Sequence, residues 1–239
     1  MGKKYKKTYS VPFYESSANK SMKLSQVLAV ALQASGEQST NLGMSDDWLA
    51  EKYNCFWAII SYDITIHRLP KFLEKIEIIT EAKSYNKFFC YRQFTFLSED
   101  GTPLVEMNTT WIIMNKENRK VERVQDDIVA PYESEKTTKI IRPYKFKKLE
   151  NTQQQKYQVT FSDLDMNGHV NNAKYLEWVI DQLGHDFLMT HEPESIHINY
   201  HHEILPESII IIFTEKNDNI SYHTINERDV EIEIEWKKI

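Results

Sequence analysis

Near the end of the chain, Val230, Ile232, Ile234 and Trp236 alternate with Glu231, Glu233 and Glu235. A period of two puts the apolar set on one face of a strand and the acids on the other, so this segment predicts a sheet with one dry and one wet face. A dry face must be covered. The chain offers one amphipathic helix in each half for that purpose. Residues 21–33 carry Leu24, Val27, Leu28, Ala31 and Leu32 at helical spacing, with Ser21 as a cap and Gly36 as a stop. Residues from about 171 to 183 carry Ala173, Leu176, Val179, Ile180 and Leu183, with Gly184 as the stop.

The order around the two helices is the same. Tyr9, Val11 and Phe13 suggest a short strand before the first helix, and strand-like runs follow it at 56–67, 74–84, 87–97 and 104–115. Asp100-Gly101 lies between the last two as a hairpin turn. Tyr157 and Val159 precede the second helix, and runs at 195–204, 208–215, 219–225 and 229–236 follow it. One long helix buries its stripe only if a sheet curls over it. The expectation is therefore an α+β fold: two tandem antiparallel sheets, each wrapped around a long central helix. Residues 1–132 form the first unit, the polar stretch 133–156 the linker and 157–239 the second unit.

With 239 residues and 41% apolar content the chain can bury a sizeable core and is not a disordered tail. Its apolar runs, such as Ile209–Phe213, are far short of the ~20 residues of a membrane span. The basic start Met1-Gly2-Lys3-Lys4-Tyr5-Lys6-Lys7 has no apolar stretch after it, which argues against a secretory signal, and Lys6 breaks the myristoylation pattern. Cys55 and Cys90 are the only cysteines, so a disulfide framework is not expected and a reducing cytoplasm fits. Residues 1–150 carry 23 basic and 19 acidic side chains, a balance of +4, whereas 151–239 carry 6 and 16, a balance of −10. A pI of about 5.8 argues against nucleic acid as a partner; the basic front half suits an acidic one.

Ser162-Asp163-Leu164-Asp165-Met166-Asn167-Gly168-His169-Val170-Asn171-Asn172 places acids, amides and an imidazole immediately before the second helix. A helix start offers unpaired N–H groups and partial positive charge to a developing anion. Histidine exchanges a proton near neutrality, a nearby Asp orients it and an amide grips a carbonyl oxygen. The same residue types also build turns and caps: Asn171 or Asn172 suits the N-cap, and Asp163 suits a bond to its own backbone. The first helix is preceded by Tyr14-Glu15-Ser16-Ser17-Ala18-Asn19 instead, so one active site per chain is expected.

Ser162–Trp178, including Lys174-Tyr175-Leu176-Glu177-Trp178, closely resembles the acyl-acyl-carrier-protein thioesterase family, the plant and bacterial fatty acyl-ACP hydrolases. Phe56-Trp57-Ala58-Ile59 and Thr110-Trp111-Ile112-Ile113-Met114-Asn115-Lys116-Glu117-Asn118-Arg119-Lys120 resemble its tryptophan-bearing strands. The resemblance covers nearly the whole chain and implies a double hotdog fold whose front half supplies the acyl pocket. Met22, Val27 and Ala31 are candidate lining residues, with plain core as the alternative. It implies catalytic roles for Asp165, Asn167 and His169, and for Glu203 in Ile198-Asn199-Tyr200-His201-His202-Glu203-Ile204. The family commonly has Cys after that Glu; Ile204 stands there, which favours attack by an activated water over a thiol nucleophile. If the strand ran on through 204, Glu203 would share the wet face with His197, Asn199 and His201, away from the helix, unless a bulge or a site between the halves intervened.

The resemblance thus implies hydrolysis of fatty acyl-ACP to free fatty acid in fatty acid biosynthesis, in the cytoplasm, with the acyl carrier protein as partner. No cofactor, metal site, nucleic acid or membrane span is implied. Monomer and homodimer both stay open. The alternatives are an acyl-CoA thioesterase and a non-catalytic acyl-binding module.

Overall fold

The computed structural model describes residues 2–166 and 168–239. Its strands are β1 (Lys4–Ser10), β2 (Cys55–Ile66), β3 (Lys75–Tyr85), β4 (Cys90–Ser98), β5 (Pro103–Asn115) and β6 (Val121–Glu122), then β7 (Glu135–Lys136), β8 (Gln153–Gln158), β9 (His191–Tyr200), β10 (Ile209–Lys216), β11 (Ile220–Ile225) and β12 (Val230–Lys238). The helices are α1 (Leu24–Asn41), α2 (Asp46–Tyr53), α3 (Asp126–Val129), α4 (Asn172–Ile180) and α5 (His185–Thr190). The result is an α+β chain dominated by antiparallel strands.

Where the sequence suggests two separate sheets, the strands form one, in the order β1-β3-β4-β5-β2-β9-β12-β11-β10-β8. The joint is β2 against β9, with Tyr62 opposite Ile198 and Ile64 opposite Ile196. Ile198 and Ile196 in turn face Ile232 and Ile234 on β12, so apolar rows run unbroken from one half to the other. These side chains are at most 1% exposed, and each contributes roughly 1.5–3 kcal/mol of burial. Pairing the two would-be edge strands also satisfies backbone groups that would otherwise stand open. α1 and α4 pack on each other within the same core, where Ser25 Oγ donates to Glu177 Oε1 at 3.3 Å.

Three sequence expectations are corrected. α1 continues past Gly36 to Asn41: Gln38 is buried beyond the glycine, and with Ala34 and Ser35 buried just before it this outweighs the glycine's helix penalty of about 1 kcal/mol. Its N-cap position is Lys23; Ser21 is buried and bonded by Lys71 instead. The second helix is shorter than expected, ending at Ile180 in a tight turn, Asp181–Leu183, before Gly184 at φ +83°. α2 and α5 carry too few turns to show a clear period in the sequence.

The expected wet face of the last strand is also largely dry: Glu231 and Glu233 are 3% and 6% exposed. The stretch between the halves lies over it. Tyr144 stacks on His197 with centroids 3.8 Å apart and donates from Oη to Glu233 Oε1 at 2.7 Å, while Asn199 Nδ2 donates to the Tyr144 carbonyl at 3.0 Å. Lys147 pairs with Glu215 and lies over the Tyr222 ring.

The segments before α1 and α4 have the same construction. Tyr9 Oη donates to Glu15 as Tyr157 Oη donates to Asp163. Ser16 bridges Met22 as Leu164 bridges Val170, and Lys20 takes the left-handed conformation that Gly168 takes. Val11 N–H bonds the Glu74 carbonyl as Val159 N–H bonds that of Ser208. Along these paired segments Ser21 stands where the second half has His169, and Leu69 where it has Glu203.

Candidate active site

Two side chains, Asp163 and Asn171, shape the loop before α4. Thr160 and Asp163 form a capping box, and Asp163 Oδ2 accepts from Thr160 N–H (2.8 Å), Thr160 Oγ1 (2.9 Å) and Tyr157 Oη (2.9 Å). Burial pushes the Asp163 carboxyl up, but these donors and Lys174 outweigh it and hold it below the usual carboxylate range. Asp163 is therefore the loop's anchor. Asn171 caps α4 by accepting from Ala173 N–H at 3.0 Å.

Inside that frame the chain doubles back. Asp165 N–H donates to the His169 carbonyl at 2.7 Å, His169 N–H to Asp165 Oδ1 at 3.1 Å and Gly168 N–H to the Asp165 carbonyl at 3.0 Å. Gly168, at φ +78°, makes the reversal possible. The turn turns the His169 ring towards Phe56, with centroids 5.2 Å apart and planes tilted by 34°. Asn167 lies outside the described residues.

Glu203 meets His169. Its Oε1 stands 3.3 Å from His169 Nε2, and both side chains are about one-third exposed. The orientation conflict anticipated from strict alternation does not arise, because β9 ends at Tyr200. His201 and His202 donate their N–H groups to the Asp229 carbonyl, and the chain turns off the sheet before Glu203. Ile204, at the position where the family commonly has Cys, is 3% exposed and packed in the core.

Sequence reasoning singled out neither Phe56 nor Arg119 as a site residue. Both come from the front half. Arg119 Nη2 donates to Glu203 Oε2 and lies 3.4 Å from His169 Nε2, and its guanidinium sits 5.0 Å from the Phe56 ring centroid. The signal available in the sequence was a turn-forming run, Asn115-Lys116-Glu117-Asn118, with a cation at its end; only the fold supplies what that cation faces.

A small cavity, partly open to solvent, lies in the front half, lined by Ser35, Trp57, Cys90, Arg92, Trp111 and Tyr132 among others. Trp57 and Trp111 meet edge to face at 6.3 Å. Trp57 directly follows Phe56, so the strand that places a ring on His169 also walls the cavity. Buried Arg92 donates from Nη1 to Gln38 Oε1 (2.6 Å) and Thr80 Oγ1 (2.8 Å), and burial lowers its pKa to about 10. The Cys90 thiol is pushed up to about 12 by burial, which leaves it protonated. Met22, Val27 and Ala31 do not line this cavity; they are plain core at 0–1% exposure, and α1 reaches the cavity through Ser35 and Ser39. The two histidines expected to share a strand face have partners of their own: His197 stacks on Tyr144 and His201 pairs with Glu231 at 2.8 Å.

Comparisons with known proteins agree with this architecture. Family models described as the acyl-ACP thioesterase N-terminal and C-terminal domains match residues 2–132 and 146–238. The chain belongs to the acyl-ACP thioesterase family. It is 27% identical to the oleoyl-acyl carrier protein thioesterase of Coriandrum sativum over 87% of this chain and 62% of that protein. To oleoyl-acyl carrier protein thioesterase 1 of Arabidopsis thaliana it is 24% identical over 92% of this chain and 66% of that protein. It thus spans less than two-thirds of these curated plant relatives. The crystal structure of a putative oleoyl thioesterase from Lactobacillus plantarum superposes with a TM-score of 0.93 at 27% identity, covering 100% of this chain and 97% of that one. The 12:0-ACP thioesterase of Umbellularia californica shares the fold, with a TM-score of 0.84 at 18% identity over 99% and 98% of the two chains.

Proposed function

We propose that the chain hydrolyses the thioester of fatty acyl-ACP, releasing free fatty acid and the carrier's thiol. The observation that carries this reading is the 3.3 Å approach of His169 Nε2 to Glu203 Oε1 just before α4, in a chain whose front half holds a tryptophan-walled cavity. Glu203, with His169, takes a proton from water; the water oxygen bonds to the carbonyl carbon, and the C–S bond breaks as the sulfur regains a proton. N–H donors of the loop and of the first turn of α4 stabilise the tetrahedral oxyanion. Asn167 holds the carbonyl or the water, and Asp165 orients the loop through the His169 N–H. The acyl chain lodges in the front-half cavity. In this reading the chain is a double hotdog of units 1–132 and 157–239 joined by 133–156, it works in the cytoplasm, and the carrier's acidic surface meets the basic front half.

Purified protein with matched acyl-ACP and acyl-CoA tests the proposal. Release of fatty acid, with higher kcat/KM on acyl-ACP, is expected. Preference for acyl-CoA would select the CoA enzyme, and acyl binding with no turnover at high protein concentration would select the binding module.

A further inference from the structure

The site is built from both halves, and the front half's share is a cation on a rigid turn. Asn115 holds that turn: its N–H donates to the Lys120 carbonyl, its carbonyl accepts from Arg119 N–H at 3.1 Å, and its Oδ1 accepts from the N–H groups of Glu117 and Asn118. The turn closes with Arg119 at φ +56°, a conformation a long side chain rarely takes. Such conformations persist where the surroundings hold them in place. Here the guanidinium rests on the Phe56 ring, which is also the ring that backs His169. From there it reaches Glu203 Oε2 while the other carboxylate oxygen faces the imidazole. The corresponding place before α1 has neither imidazole nor carboxylate, with Ser21 and Leu69 standing there.

We infer that Arg119 is a positioning residue for the hydrolysis: it fixes Glu203 so that Oε1 is turned to His169, and it makes the front half part of the catalytic centre. This rests on the hydrolase reading above. Glu203 is faced by Arg119 from the β5–β6 turn, by His169 from the loop before α4 and by Tyr175 from α4. Of these, Arg119 alone carries a fixed positive charge. Arg119 does not need to touch substrate for this role, which separates it from a cation that binds a phosphate of the carrier's arm.

The experiment compares wild type, Arg119→Met and Arg119→Lys on an acyl-ACP and on the same acyl group as an N-acetylcysteamine thioester, which has no phosphate. Arg119→Met is expected to lower kcat by about 10²-fold on both substrates, the scale of a misplaced catalytic group, with KM changed less than about twofold. Arg119→Lys recovers part of the loss. Added to Glu203→Gln, Arg119→Met costs little more, since the pair acts as a unit. Two results overturn the inference in a protein of unchanged melting temperature: wild-type kcat in Arg119→Met, or a loss confined to KM on acyl-ACP, which would make the residue a phosphate contact. If Arg119→Met fails to fold, Arg119→Gln is read by the same criteria. Failure of the hydrolase reading shows separately, as absence of wild-type turnover on both thioesters.

Discussion

The imidazole of His169 and the carboxylate of Glu203 approach to 3.3 Å, although one belongs to a loop before a helix and the other to a turn after a strand. On the proposed hydrolase reading, proximity of this kind makes the pair act as a unit. His169→Ala and Glu203→Gln are each expected to lower kcat/KM by about 10²–10⁴-fold, and the double variant by little more than the worse single one. Steady-state kinetics on acyl-ACP, with melting temperatures for all three proteins, check this; independent, multiplying losses would separate the two roles.

Gly168 carries the reversal between Asp165 and His169 at φ +78°, and a Cβ there would meet no described atom within 4 Å. The cost of Gly168→Ala is thus conformational, about 1 kcal/mol of stability. A melting temperature a few degrees lower is expected, and a larger proportional fall in kcat, because the hydrogen bond from His169 N–H to Asp165 depends on the turn. Unchanged kcat in the folded variant would detach the turn from catalysis.

His223 is 1% exposed and bonded to Thr214 Oγ1 at 2.9 Å and Ser221 Oγ at 3.0 Å. Burial lowers its pKa to about 3. The unfolded chain titrates this group near ~6.5, so between that pH and about 3 the unfolded state holds the extra proton. Stability from this residue therefore falls as pH drops through that window, by at most about 1.4 kcal/mol per pH unit. Urea unfolding of wild type and His223→Leu at pH 7, 6, 5 and 4 should show the difference between them shifting toward the variant as pH falls. A constant difference would mean that the imidazole charges without cost.

Lys116, Lys120 and Arg123 are exposed on and beside the turn that presents Arg119. Reversing all three to Glu is expected to raise KM for acyl-ACP several-fold and to flatten its salt dependence, while leaving the N-acetylcysteamine thioester unaffected. Equal effects on both substrates would point to damage at the catalytic centre rather than to carrier docking.

Short-range information carried much of this. The alternation from Val230 to Trp236, the stripe of α1 and the cap at Asn171 are local patterns, because strand and helix periods are fixed by the backbone. The loop containing Asp165 and His169 was legible because its residues are contiguous. Glu203 could be named from the family pattern, but its orientation could not. That depended on β9 ending at Tyr200, where the Asp229 carbonyl takes the next two N–H groups. The burial of Glu231 and Glu233 was invisible for a similar reason: Tyr144 and His201 come to them from distant segments.

The sequence by itself determined the main strands, the two principal helices and their order in each half, and the contiguous half of the candidate site, since each follows from spacing along the backbone. Tertiary structure alone decided that the strands join into one sheet through β2 and β9, and that Phe56 and Arg119 of the front half meet His169 and Glu203 of the back half. Contacts between segments far apart in the chain are set by how apolar faces and strand edges pack, and no local pattern encodes that choice.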